Sequence, residues 1–135
     1  MTKAANLAVS AHKPVEEKPI SFEGSSLDNL RDFPRGVKDD LGYQLYKVQI
    51  GEQPDDFKPM SRVGPGVEEI RVKDDDGIYR AIYTARFDEA VYVLHAFEKR
   101  SQQTSQKDID LAKERLSKVL ARRQKAAAAA RKGKQ

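Results

Sequence analysis

After the Pro- and Gly-rich segment that ends at Gly66, hydrophobic residues recur at every second position of the chain. In VEEIRVKD, which starts at Val67, apolar side chains alternate with charged ones, as in a strand with one buried face. The turn-forming run DDDG follows, and IYRAIYTARF reads as a second strand. The next stretch, AVYVLHAFEK, is apolar on both faces at first, which is typical of an interior strand. The pattern predicts an antiparallel meander of about three strands.

Helices are predicted on both sides of this meander in the sequence. A short helix can begin at Ser25 or Ser26, because Asp28 lies three residues after Ser25 in capping-box spacing. The last helix begins at Ser105, with Asp108 in the same spacing. A longer second helix is indicated by apolar residues at steps of four, four and three, namely Val37, Leu41, Leu45 and Val48.

The predicted class is α+β, with a small antiparallel twisted sheet, two N-terminal helices on one face and a C-terminal helix. A short strand is predicted at residues 20–22, and segment 53–66, rich in Pro and Gly, is predicted to be a connecting loop. Residues 1–18 lack periodicity and are interpreted as a disordered arm. The domain then covers residues 19–121, and residues 122–135 form a basic low-complexity tail.

The net charge of +4 conceals an uneven distribution of charge. Residues 122–135 hold six cations and no acid, so 19 basic and 21 acidic residues remain in the rest of the chain. An anion-binding site must therefore come from local placement of cations. The absence of cysteine excludes a disulfide framework and thiolate chemistry, and it fits a cytoplasmic protein. No apolar run approaches the roughly 20 residues that span a bilayer, so no membrane partner is expected.

The hairpin makes a specific prediction about two arginines. If Asp74 lies opposite Gly77 at the turn, Arg71 falls directly opposite Arg80. Like charges facing each other across strands are unfavourable. Either an anionic ligand lies between the two guanidinium groups, or Glu69 on the same face neutralises them, or the register is shifted by one residue.

The third strand ends in polar groups. Its pattern predicts that Val91, Val93, His95, Phe97 and Lys99 share one face of the sheet. A single histidine in an apolar strand is more often a core residue than a catalyst, and a cation at a strand end is often simply solvated. His95 is nevertheless a candidate acid–base group, since its ordinary pKa is near neutrality.

The sequence gives little support for a metal site, a phosphate-binding loop or a Ser-His-Asp triad. The second histidine, His12, lies in the predicted arm, and residues 74–76 are better explained as a turn than as metal ligands. The GPG run at residues 64–66 lacks the lysine of a phosphate-binding loop. No Ser-His-Asp arrangement can be argued, and no metal or cofactor is expected.

Several ordered motifs between Lys18 and Leu120 resemble the phage-derived, HigB-like branch of the RelE/ParE toxin superfamily. They include Glu69-Ile70-Arg71, the stretch from Arg80 to Tyr83, and F-x-K-[KR] followed by Thr104. The resemblance implies a curved antiparallel sheet with helices on one side and a concave basic surface on the other. It also implies the toxin of a type II toxin–antitoxin module, which cuts mRNA in the ribosomal A site without a metal. The implied partners are a helix-turn-helix antitoxin, mRNA and the ribosome.

The resemblance also implies roles for individual residues. Arg71 and Arg80 would clamp the scissile phosphate, because a planar guanidinium suits bidentate phosphate contacts. Lys99, the first cation of F-x-K-[KR], would stabilise charge in the transition state or take a proton, and His95 would serve as acid or base. RNA-binding contacts are expected from three further residues, namely Lys73, Arg100 and Thr104.

The chain departs from the family pattern at its C-terminal end. RelE toxins carry a tyrosine there that takes part in cleavage, and some HigB toxins end with a Tyr-His pair. This chain has no tyrosine after Tyr92 and no histidine after His95. Either His95 and Lys99 perform the proton transfers, or the protein is a non-nucleolytic binder such as a ParE-like gyrase inhibitor or a phage accessory protein. Two arginines that are both paired with acids would favour the binder.

Overall fold

The computed structural model describes residues 16–133 and confirms the predicted α+β class. The predicted N-terminal arm therefore lies almost entirely outside the described residues. In chain order the elements are β1 (Ile20–Phe22), α1 (Ser26–Arg31), α2 (Arg35–Gln49), β2 (Phe57–Pro59), β3 (Val67–Lys73), β4 (Ile78–Thr84), β5 (Val91–Lys99) and α3 (Gln106–Gly133).

The strands form one mixed sheet in the order β1-β5-β4-β3-β2. Strands β3, β4 and β5 form the predicted antiparallel meander. The short strand predicted at residues 20–22 is β1, and it pairs with β5 in parallel, so the sheet is antiparallel as predicted except at this edge. The loop predicted at residues 53–66 contains β2, which pairs with β3 at the other edge. An edge strand can contain Pro59 because one side of the strand needs no ladder hydrogen bonds.

Helices cover both faces of the sheet. The buried face of α2 carries the predicted stripe and, with α1, packs on one face against Ile70, Val72, Tyr79 and Val93. On the opposite face α3 packs against a second cluster of residues that includes Ile82 and Leu94. The resemblance implied that this second face is an open concave surface, and that expectation is wrong for the part beneath α3. The buried residues of α3 that cover it are Ile109, Ala112, Leu116 and Val119.

A β-bulge divides β5 into two parts with different orientations. Tyr83 pairs with Val93 and Ile82 pairs with His95, so Leu94 is an extra residue on β5. Val93 therefore packs beneath α1 and α2, whereas Phe97 packs on the side of α3. The prediction that all five alternate residues from Val91 to Lys99 share one face is wrong, because the extra residue resets the alternation.

The N-terminus of α3 has the predicted capping contacts. The Asp108 amide donates to Ser105 Oγ at 3.2 Å, and Ser105 Oγ donates to Asp108 Oδ2 at 2.6 Å. The helix continues through Gly133, beyond the boundary predicted at residue 121. Arg122 and Arg123, from the predicted tail, contact the domain through ion pairs with glutamates in the β1–α1 and β4–β5 connections. By contrast, the side chain of Ser25 makes no capping hydrogen bond to α1.

Candidate functional site

Arg71 and Arg80 lie opposite each other on β3 and β4, as the sequence predicts. Glu69 lies between them on the same face. Its Oε1 is 3.0 Å from Arg71 Nε and 3.6 Å from Arg80 Nη1. The side chains of Glu69 and Arg80 are 0% exposed, whereas that of Arg71 is 13% exposed. Of the three explanations that the sequence leaves open, the structure therefore shows neutralisation by Glu69.

Both guanidinium groups also hold the loop between β5 and α3. Arg80 Nη1 donates to Thr104 Oγ1 at 3.0 Å, and Arg80 Nη2 donates to the Ser101 carbonyl. Arg71 Nη2 donates to the Gln102 carbonyl at 2.8 Å. Thr104 Oγ1 in turn donates to a Glu69 oxygen at 2.6 Å. The loop and the strands are thus joined by one charged network.

This network leaves Arg80, which is fully buried, out of reach of a ligand from solvent. Thr104 is 8% exposed, and both of its hydroxyl contacts are internal. Burial lowers the pKa of Arg80, opposed by the nearby charge of Glu69, but a guanidinium stays protonated at neutral pH. The predicted clamp of two arginines would therefore reach a phosphate only through Arg71.

His95 lies on the same face as Arg80 because of the bulge, and it contacts Asp108. His95 Nε2 is 2.8 Å from Asp108 Oδ1, and the ring stacks on Phe97 with centroids 4.5 Å apart. Burial lowers the pKa of His95, opposed by the hydrogen bond that the ring donates to Asp108, so the ring is neutral at pH 7. A neutral ring facing a carboxylate carries its proton on Nε2. Nδ1 is buried and has no hydrogen-bond partner among residues 16–133.

Asp108 connects His95 to Lys99. Lys99 Nζ is 3.3 Å from Asp108 Oδ2, and the Lys99 side chain is 31% exposed. Burial raises the pKa of Asp108, but hydrogen bonds from Ser105, His95 and Lys99 together hold that pKa below its usual value. Ser105 bonds to the carboxylate and not to His95, so the three residues are not arranged as a nucleophilic triad.

Asp108, which joins His95 to Lys99, is absent from the predicted site. The capping-box spacing places it at the start of a helix, but nothing in the local sequence links it to His95 or Lys99. The link depends on the bulge in β5 and on the position of α3 over the sheet.

Two of the predicted RNA-binding residues are exposed. Lys73 and Arg100 line a shallow depression beside the β3–β4 turn, together with Gln102 and the aspartates of residues 74–76. The depression therefore has mixed charge. With the partly exposed Lys99 and Arg71, these residues form a cationic rim, which we define as Arg71, Lys73, Lys99 and Arg100.

A cleft of about 220 Å³ lies beside Thr104 and is not predicted from the sequence. Strand β2 supplies Lys58 and the β2–β3 connection supplies Arg62, while the start of α3 supplies Ile109. Arg62 also donates a hydrogen bond to the Gln106 side chain. The remaining lining residues are Pro59, Met60, Ser61 and Gln103.

Comparison with known families identifies the chain. Residues 28–117, two thirds of the sequence, match the family described as Phage derived protein Gp49-like (DUF891). The chain belongs to this Gp49-like family. The family is associated with toxin–antitoxin modules and is of the RelE-like toxin type, so an antitoxin is the partner that it implies. No curated protein is significantly similar to the chain.

The Gp49-like match contains the whole site, including Glu69, the cationic rim and Asp108, and ends at Ser117 within α3. Within residues 16–133, no group of three or more His, Asp or Glu side chains is arranged to hold a metal ion. No helix in that part of the chain is long and apolar enough to cross a membrane.

Proposed function

We propose that this Gp49-like protein is the HigB-like toxin of a type II toxin–antitoxin module and cuts mRNA on the ribosome. The observation that carries the proposal is the shared Asp108 carboxylate, which contacts buried His95 at 2.8 Å and partly exposed Lys99 at 3.3 Å. The contact with Asp108 orients the Lys99 ammonium group within the cationic rim, where a phosphate can approach. The buried network behind it keeps the loop after β5 in place.

The proposed reaction is transesterification within the RNA. The ribose 2′-OH gives its proton to solvent water and attacks the adjacent phosphorus, and the bond from phosphorus to the 5′-oxygen breaks. The 5′-oxygen takes a proton from solvent water, so the products are a 2′,3′-cyclic phosphate and a 5′-hydroxyl. The protein must align the 2′-oxygen with the leaving group and stabilise the negative charge of the pentavalent phosphate.

The geometry supports a division of roles that differs from the one implied by the resemblance. Lys99 is the group that contacts the phosphate and stabilises its charge, aided by the exposed edge of Arg71. His95 acts as a positioning residue, since it contacts Asp108 and has no exposed nitrogen. Arg80 and Thr104 are positioning residues too, because they hold the loop that follows Lys99.

The remaining rim residues bind RNA without taking part in the chemistry. Lys73 and Arg100 are exposed and line the depression, where they can contact backbone phosphates. Their contribution is independent of sequence, and it would weaken with increasing salt.

The proposal is tested by expressing the protein without its antitoxin and mapping the 5′ ends of cellular mRNA. Wild type should arrest growth and create new 5′ ends in translated regions. Lys99→Ala should reduce cleavage about 10²-fold or more, as expected when one charge-stabilising group is removed. Lys107→Ala is the matched control, because Lys107 is an exposed lysine near the start of α3. Growth arrest without new 5′ ends would reject the nuclease.

A second candidate is a non-nucleolytic toxin on the same fold. It is favoured by one observation: Arg71 and Arg80 are both paired with Glu69, so neither guanidinium is free of an acid. Growth arrest with intact mRNA, accompanied by stalled gyrase–DNA cleavage complexes, would support this candidate. Lys99→Ala would then leave toxicity unchanged.

The proposed antitoxin is a helix-turn-helix protein encoded by the neighbouring gene. Co-expression with that gene should restore growth, and the two proteins should copurify. A neighbouring product that neither binds nor neutralises the toxin would exclude it as the partner.

A further inference from the structure

The second half of α3 is strongly and uniformly cationic. From Arg115 to Gly133 the helix contains seven Lys and Arg residues and no Asp or Glu. The last buried residue of α3 is Val119, and the next turn contacts the domain through Leu120, Arg122 and Arg123. The match to the Gp49-like family ends at Ser117, immediately before most of these cations.

Four of the cations form a stripe along one side of the helix. Lys118, Arg122, Lys125 and Lys132 recur at steps of four, three and seven residues, which keeps them within an arc of about 80°. At a rise of about 1.5 Å per residue, the stripe is about 21 Å long. It lies about 140° round the helix from the centre of the buried face, and therefore faces away from the sheet.

The side chains of the stripe are exposed. Those of Lys118 and Arg122 are 68% and 56% exposed. Lys118 pairs with Glu114 at 3.5 Å, and Arg122 pairs with Glu23 at 2.8 Å. The Lys118–Glu114 pair is exposed on both sides, and such a pair is weak and exchanges readily for a phosphate. The Glu23 side chain is only 9% exposed, so the Arg122 pair is the firmer of the two, although Arg122 itself is exposed. Within residues 16–133, Lys125 and Lys132 form no ion pair.

The composition of this helical segment limits the kinds of partner that the segment can bind. A helix that lies in a membrane surface needs a wide face of large apolar side chains. A helix that docks on a protein usually needs aromatic or large aliphatic side chains as anchors. After Leu120 the apolar residues of the segment are all alanine. A surface that offers positive charge without apolar anchors suits a polyanion whose negative charges are regularly spaced.

We infer that the stripe of Lys118, Arg122, Lys125 and Lys132 is a docking surface for the sugar–phosphate backbone of a double-stranded nucleic acid. Successive phosphates of one strand are about 3.4 Å apart along the axis of a B-form duplex, so 21 Å of helix lies beside roughly six of them. The contacts are to phosphates only, so the binding is independent of sequence. The stripe holds the protein on a nucleic acid through residues that are distinct from the cationic rim.

The test measures binding of full-length protein to a 20-base-pair RNA duplex and to a DNA duplex of the same sequence, by fluorescence anisotropy between 50 and 200 mM salt. The stripe variant carries Lys118→Gln, Lys125→Gln and Lys132→Gln. A matched control carries Arg35→Gln, Lys113→Gln and Arg131→Gln, which are exposed positions off the stripe. The two variants lose the same net charge, and circular dichroism confirms that each is folded.

The stripe variant should bind about tenfold or more weakly, and the dependence of log K on log salt should become shallower by about 1 for each lysine that contacts a phosphate. The control should bind like wild type. Tighter binding to RNA or to DNA identifies the nucleic acid, and either result supports the inference.

Equal weakening of both variants would overturn the inference, because it would show an effect of net charge alone. So would the absence of duplex binding by wild type together with binding to phosphatidylcholine–phosphatidylserine vesicles. Neither readout requires mRNA cleavage, so failure of the proposed nuclease and failure of this inference can be told apart.

Discussion

At the scale of single residues, the buried charged network is built around Glu69. One buried carboxylate contacts two guanidinium groups and a threonine hydroxyl. Both guanidinium groups also bind the loop that leads into α3, and the threonine is part of that loop. Arg80 is therefore a structural residue in this arrangement, and its substitution should do more than remove a phosphate contact. A buried charge that loses its partner is strongly destabilising, because desolvation is no longer offset.

Arg80→Ala should accordingly lower the free energy of unfolding by about 3–5 kcal/mol. Urea denaturation monitored by circular dichroism measures the change. Arg100→Ala, at an exposed position, should stay within about 0.5 kcal/mol of wild type. An Arg80→Ala protein as stable as wild type would contradict the structural role.

His95 should make stability depend on pH. Its pKa is lowered in the folded protein, mainly by burial, whereas in the unfolded chain it is near 6.5. Between these two values the unfolded chain binds more protons, so the free energy of unfolding falls as the pH falls below about 6.5. Urea titrations from pH 7.5 to 5.5 should show this loss in wild type, and His95→Gln should flatten it. An unchanged slope in the variant would assign the loss to another group.

At the scale of elements, the bulge in β5 determines which side chains form the site. It places Leu94 and His95 on the α3 side in succession, and so brings His95 to the face that carries Arg80. Arg115 of α3 donates to the Leu94 carbonyl at 2.9 Å and to Ser25 Oγ at 3.1 Å. One side chain thus links the bulge, the start of α1 and the helix that covers the sheet.

Arg115→Ala should destabilise the protein by about 1–3 kcal/mol, because the partly buried Leu94 carbonyl loses a charged donor. Thermal unfolding measures the effect. Lys113→Ala is the control, since Lys113 is exposed on the same helix and lies two residues away. Equal melting temperatures for the two variants would show that the bulge does not depend on Arg115.

At the scale of the whole molecule, α3 has three separable regions. Its first turn supplies Asp108 to the site, its middle supplies the apolar residues that cover one face of the sheet, and its remaining turns carry the cationic stripe. Because these regions follow each other along one rigid rod of about 42 Å, the site and the stripe are held at a defined separation.

Local patterns in the sequence determined much of this structure. Alternation predicts the β3–β5 meander, the turn aspartates predict the pairing of Arg71 with Arg80, and the apolar stripe predicts α2. These features depend on residues that are close in sequence and on the periods of strand and helix. Tertiary structure alone decided the bulge at Leu94, the parallel pairing of β1 with β5, the contact of Asp108 with His95 and the burial of Arg80. Each of these features depends on which distant segments pack together. The spacing of side chains along the chain does not predict that packing.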